Sequence, residues 1–150
     1  ELFTDSLVDW LDENGVAEVA VLSGVPVAHG PDDHRTFYIA TEDYRDARLA
    51  DGDVPPMGNG FLDGVNADLL GRGIDSDLRA CVYTTPVHPQ IPDVEAAIRL
   101  VDSVSDVYDI DVDTGPLEAF AEEVAEHYEN LSERIEALAE EDRADDRMYM

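Results

Sequence analysis

The strongest constraint in this sequence is a seven-residue hydrophobic repeat near its end. Leu117, Ala121, Val124, Tyr128, Leu131, Ile135 and Leu138 are separated alternately by four and three residues. A mean spacing of 3.5 residues puts all seven side chains along one narrow stripe of an α-helix, and such a stripe is stable only when a second helix covers it. The cover is either the helix read at 92–108 of the same chain or another subunit. Thr114-Gly115-Pro116 supplies the entry to this helix, because proline suits a first turn. Beyond Leu138 the run AEEDRADDR carries charge without an apolar period, and it reads as a solvated tail.

Upstream, helical and strand periods alternate. Phe3, Leu7, Trp10 and Leu11 mark a helix over 2–14, closed by Asn14-Gly15. The valine-rich run from Val16 to Pro26 reads as a buried strand, and 35–41 as a second. A long irregular stretch follows, with Asp51-Gly52 and Pro55-Pro56. Leu62, Val65, Leu69 and Leu70 then take helical spacing, bracketed by Gly60, Gly71 and Gly73. The strand at 78–85 runs into a proline-stiffened segment, after which Val94, Ala97, Ile98, Val101, Val104 and Tyr108 give another helix. This order predicts a layered α/β fold with a mainly parallel sheet, followed by a long C-terminal helix. The expected organisation is an α/β domain over 1–113, the amphipathic helix over 114–141, and a flexible acidic tail over 142–150.

Composition narrows the partners. With 36 Asp+Glu against 9 Lys+Arg, all nine of them Arg, the formal charge is −27, which disfavours nucleic acid and anionic membrane surfaces. Disorder does not follow, because 44% of the residues are hydrophobic and the segments above are periodic. The excess of acid resembles that of haloarchaeal proteins, which work in molar salt where the Debye length falls to about 3 Å. A single cysteine, Cys81, cannot form an internal disulfide, and no 18-residue apolar run occurs, so a cytoplasmic location is expected.

Signals for chemistry are weak. His29 and His34 flank Gly30-Pro31-Asp32-Asp33, two imidazoles and two carboxylates within six residues. Pro31 breaks any helical ligand spacing, and Asp beside His is common in so acidic a chain, so this reads as a loop and no metal is expected. His88 stands between prolines past a strand end, where α/β ligand sites lie, but without a local nucleophile. Gly58-Asn59-Gly60-Phe61-Leu62-Asp63-Gly64 has the wrong spacing for a phosphate loop and places Asp63 where an anion would sit. Cys81, mid-strand, reads as a small core residue. No catalytic residue and no cofactor are expected. The last three residues, Met148-Tyr149-Met150, set an apolar, aromatic tip after the acidic run, suited to a pocket with a cation at its base.

The chain as a whole resembles the archaeal branch of the proteasome assembly chaperone family, on the pattern of residues 58–131 and with the helix and strand over 2–26 in the family's order. The resemblance rests on Gly60-Phe61-Leu62 at a helix start, the strand at 78–85, Asp93-Val94-Glu95-Ala96-Ala97, and Asp113-Thr114-Gly115-Pro116-Leu117, where Gly115 departs from the family pattern. It implies a three-layer αβα sandwich with a helical C-terminal extension, its sheet completed by natural N-terminal strands that the 1–113 domain lacks, in a homo-oligomeric, non-enzymatic protein. It also implies docking on the α-subunits of the 20S proteasome through a hydrophobic-Tyr-any tail. In that role Tyr149 would wedge between subunits, Met148 would fill an apolar groove and the Met150 carboxylate would meet a lysine. Leu117, Val124, Tyr128, Leu131, Ile135 and Leu138 would form the oligomer or helix seam. Two other readings stand beside it: a ligand-binding or hydrolase- or phosphorylase-like protein using His88, Asp63 or the loop after Gly24, and a structural oligomer whose tail is dispensable.

Overall fold

The computed structural model describes residues 2–89 and 92–148, with side chains described up to 139. Every long periodic segment forms the element its period predicts. Helix α1 (Leu2–Glu13) leads through Gly15, held at φ 66°, into strand β1 (Glu18–Pro26). Strand β2 (Phe37–Ala40) follows, then a short helix α2 (Glu42–Tyr44) that continues as a π-helix over Arg45–Leu49. Helix α3 (Gly64–Ile74), strand β3 (Arg79–Val87), helix α4 (Val94–Tyr108) and helix α5 (Gly115–Met148) complete the order. The chain divides into two units, Glu1–Val112 and Asp113–Met150.

The sheet corrects the expected topology. It has three strands in the order β1-β3-β2, with β1 parallel to β3 and β2 antiparallel to it, so it is mixed and not mainly parallel. A strand as short as β2 carries no sign of its sense, which tertiary pairing decides. Between β1 and β3 the chain is long enough for a helical crossover, here carrying α3. Strand β2 has only four residues and pairs Phe37 with Thr84 and Ala40 with Cys81, running back along the central strand.

Strand β3 is the centre of the first unit, and its alternating side chains feed two apolar clusters. Cys81 and Tyr83 join Tyr44, Leu49 and Leu100, with Val104 and Tyr108 of α4 packed against them. Ala80 and Val82 join Leu70 of α3, with Val19, Val21 and Ile39 around them. Because successive residues of a strand point to opposite faces, this division needs only the strand's own period.

Several local readings shift. Gly71 and Gly73 lie inside α3 instead of ending it, and at Gly73 the helix passes so close to the residue preceding β3 that a Cβ would meet the Leu78 carbonyl oxygen at 2.8 Å. Of the four apolar residues assigned to one face of α1, only Leu11 is buried. Thr4 turns inward with it, its hydroxyl donating to Asp68 Oδ2 at 3.0 Å, and Phe3 and Trp10 are exposed. The buried stripe of α4 is Val94, Ala96 and Leu100, rotated slightly from the expected one.

Helix α5 runs to Met148, so the backbone of 142–148 is helical where the charge run suggested a flexible tail. Glu, Arg and Ala are strong helix formers. Along its repeat, exposure rises toward the C-terminal half. Leu117, Ala121 and Val124 are half-buried, Tyr128 and Leu131 are exposed, and Ile135 and Leu138 are 59% and 64% exposed. Among the described residues no helix is long and apolar enough to cross a membrane.

Candidate functional site

Strands β1 and β3 end side by side, with Pro26 opposite Val87. Loops leaving the carboxyl ends of adjacent parallel strands form the usual ligand crevice of α/β proteins. The loop after β1 turns back on itself through a single 3₁₀ turn at Pro31–Asp33, where the Gly30 N–H donates to Asp33 Oδ2 at 3.2 Å. That reversal sets His29 beside His34, with ring centroids 5.1 Å apart. The chain leaving β3 adds His88, whose ring lies 4.6 Å from that of His29 and 6.2 Å from that of His34. Three of the chain's four histidines thus meet in one place, with ligand nitrogens all within 4.8 Å of one another.

Two of these rings are fixed by acceptors. His29 Nδ1 lies 2.7 Å from the Val27 carbonyl oxygen, and His88 Nδ1 lies 2.7 Å from Asp93 Oδ2. A carbonyl and a carboxylate can only accept, so each Nδ1 carries the proton and each Nε2 is left with its lone pair in the neutral ring. His29 Nε2 is buried and has no hydrogen-bond partner among the described residues.

Asp93 anchors this arrangement. Its Oδ1 accepts from the Ala96 N–H at 3.0 Å and so caps α4, while its Oδ2 accepts from both the backbone and the ring of His88. Partial burial acts to raise the Asp93 carboxyl, but the N–H groups of His88 and Ala96 and the His88 ring outweigh it and hold the group below the usual carboxylate range. Asp93 is thus an orienting partner for His88, which the sequence places only between prolines and without a local nucleophile. The signal was present: an aspartate one residue ahead of a helix is a cap, and a cap can hold a second group with its other oxygen.

At the opposite end of the sheet a second polar cluster has a different character. Glu18, the first residue of β1, is met by Arg48 Nε at 2.9 Å, Arg79 Nε at 3.2 Å and the Tyr108 hydroxyl at 2.8 Å. The Tyr44 hydroxyl lies 2.9 Å from that of Tyr108 and 3.0 Å from that of Tyr83, so a chain of three phenols leads to the carboxylate. Burial raises the pKa of all three phenols, and it pushes the Cys81 thiol up to about 12. Cys81 is neutral and inert, in line with its reading as a core residue. The cluster is structural.

The remaining site residues expected from the sequence belong to the second unit, Asp113–Met150. Leu117, Val124, Tyr128, Leu131, Ile135 and Leu138 line one stripe of α5. Met148 is the last residue of that helix, its side chain beyond the described ones, and Tyr149 and Met150 lie outside the described residues.

Comparison with known proteins settles the family. The PAC2 family model matches residues 1–132. The chain belongs to the PAC2 family. Among solved structures, this PAC2-family chain is similar to Pyrococcus furiosus PbaA, an archaeal homologue of proteasome-assembly chaperone. In the monoclinic form of PbaA the TM-score is 0.81 and the identity 22%, over 99% of this chain and 63% of that one. It is also similar to Pyrococcus furiosus PbaB, an archaeal proteasome activator, with TM-score 0.68 and identity 20%, over 87% of this chain and 57% of PbaB. A PAC2-family protein from Streptomyces avermitilis gives a TM-score of 0.65 at 20% identity, over 86% of this chain and 55% of its own. The chain therefore spans less than two thirds of the length of these relatives. Among curated proteins no match is found.

Proposed function

We propose that this PAC2-family chain is a non-enzymatic, cytoplasmic partner of the 20S proteasome, an assembly chaperone or activator-like protein that engages the α-subunits through Met148, Tyr149 and Met150. The observation that carries the reading is the family match over 1–132. The fold shared with PbaA and PbaB supports it. In this reading α5 is a stalk that holds the tail, Tyr149 enters the cleft between neighbouring subunits, Met148 fills an apolar groove and the carboxylate of Met150 pairs with a lysine. The partly exposed seam from Leu117 to Leu138 joins copies of the chain into a homo-oligomer. Several tails on one oligomer then raise affinity by about 10² to 10⁴ over a single tail.

The acidic composition is adapted to molar salt, and binding is therefore measured there. Purified protein is mixed with 20S particles in molar salt, intact, lacking Met148 to Met150, or with residues appended after Met150. Co-sedimentation of the intact chain and its loss in both altered forms is the expected result. Equal binding by the shortened form overturns the tail's role, and no binding by any form overturns the partner.

A further inference from the structure

Three imidazoles from two loops converge at the carboxyl ends of β1 and β3, and nothing in the proteasome reading uses them. We propose that His29, His34 and His88 form a binding site for a single zinc-like divalent transition-metal ion, with Asp93 as the positioning residue behind His88.

The donor set selects the class of ion. Neutral imidazole nitrogens suit zinc, cobalt, nickel and copper, whereas calcium and magnesium require oxygen ligands, which this acidic chain offers everywhere on its surface. Three histidines and an open fourth position form a familiar tetrahedral zinc arrangement. His88 is 51% exposed, so water reaches that fourth position.

The surroundings match what a metal-bound histidine needs. Ligating imidazoles almost always give their other N–H to a carbonyl or a carboxylate, which fixes the tautomer and aims the lone pair at the ion. His29 does this toward the Val27 carbonyl and His88 toward Asp93, both at 2.7 Å. Asp93 is itself only 11% exposed and is held by the first turn of α4, so the His88 ring is buttressed by a helix cap and not by a free side chain. The buried Nε2 of His29, with no donor to satisfy it among the described residues, is the atom whose placement a ligand would explain.

The geometry needs a small closure. Tetrahedral zinc with bonds of about 2.0 to 2.1 Å places its nitrogens about 3.3 to 3.4 Å apart. The present spread of up to 4.8 Å closes by about 1.5 Å, within reach of ring rotation and a shift of the loop between β1 and β2. Bound there, the ion cross-links that loop to the end of β3. Local sequence hid the site because its third ligand arrives only through the parallel pairing of β1 with β3.

The test uses the full chain, freed of metal with a chelator and titrated near neutral pH with zinc by calorimetry and with cobalt by visible absorption. One equivalent of each is expected, with the intense cobalt bands of a tetrahedral site, in the presence of excess magnesium. His29→Ala and His88→Ala are expected to weaken binding more than about 100-fold, and Asp93→Asn, which preserves a cap, about 10- to 100-fold. His127→Ala, the fourth histidine, on α5, is expected to change nothing.

Circular dichroism checks that each variant is folded. Should a variant fail to fold, pulsed EPR of the copper-loaded unaltered protein counts imidazole nitrogens directly. Competition by magnesium, indifference to the histidine substitutions, or a copper spectrum without imidazole couplings assigns the binding to surface carboxylates and overturns the proposal.

Discussion

Strand β3 and helix α5 are the two most regular apolar segments of the chain, and they meet opposite fates. Cys81 and Tyr83 of β3 are completely buried, with Ala80 and Val82 nearly so. In α5, Ile135 and Leu138 are more than half exposed although their spacing is as strict as any in the molecule. Both segments carry a face that water disfavours. The strand finds its cover within the first unit, where neighbouring strands and helices pack it on both sides. A period states that a face wants covering, and it leaves the identity of the cover to the rest of the assembly.

This contrast can be broken most easily at its buried end. Tyr83→Ala removes a completely buried ring and one member of the phenol chain, and is expected to cost about 3 to 5 kcal/mol in chemical denaturation. A loss below about 1 kcal/mol would mean that β3 is not the centre of the core. Tyr44→Phe keeps the ring and leaves the Tyr83 and Tyr108 hydroxyls without their shared partner. The expected cost is about 1 to 3 kcal/mol, and a neutral effect would show that the hydroxyls find water.

Asp93→Ala probes the edge of the same unit. Loss of the helix cap is expected to cost about 0.5 to 2 kcal/mol near neutral pH. Because the folded carboxyl is held below its usual value, its contribution is present above about pH 4 and fades as pH falls through the lower folded value. The unaltered protein and Asp93→Ala should therefore converge in stability on acidification, and a gap that persists in acid would assign the effect to packing alone.

The smallest expected change in stability belongs to α5. Ile135→Glu places a charge at an exposed position and should shift the unfolding free energy of the isolated chain by less than about 0.5 kcal/mol. If the seam joins copies of the chain as proposed, the same substitution buries that charge there, and light scattering should report a shift toward the monomer. An unchanged molar mass would detach the seam from self-association and sharpen the contrast with β3 into one between a core and a merely amphipathic surface.

Much of the architecture was legible because it follows from local periods. The positions of α1, α3, α4, α5 and all three strands can be read from runs of apolar residues and from Gly15. The helix over Glu42–Leu49 was not, since Tyr44 and Leu49 are its only buried residues and the surrounding Asp, Gly and Pro point to irregular chain. Their burial comes from contact with Tyr83 and Leu100, which lie far along the sequence. The direction of β2 was likewise invisible, because a four-residue strand carries no mark of the neighbour it pairs with or of its sense.

The histidine cluster divides in the same way. His29 and His34 sit on one short loop and could be noticed together, but two imidazoles with nearby aspartates are weak ground for a site in so acidic a chain. His88 and its partner Asp93 complete the group only because parallel pairing brings the end of β3 against the end of β1. The sequence by itself determined which segments are helix or strand, which faces are apolar, and how strongly charge excludes anionic partners, since each depends on neighbours a few residues apart. Tertiary structure alone decided the sense of β2, the burial of Tyr44 and the meeting of three histidines. Those depend on contacts between residues remote in the chain, for which no local period exists.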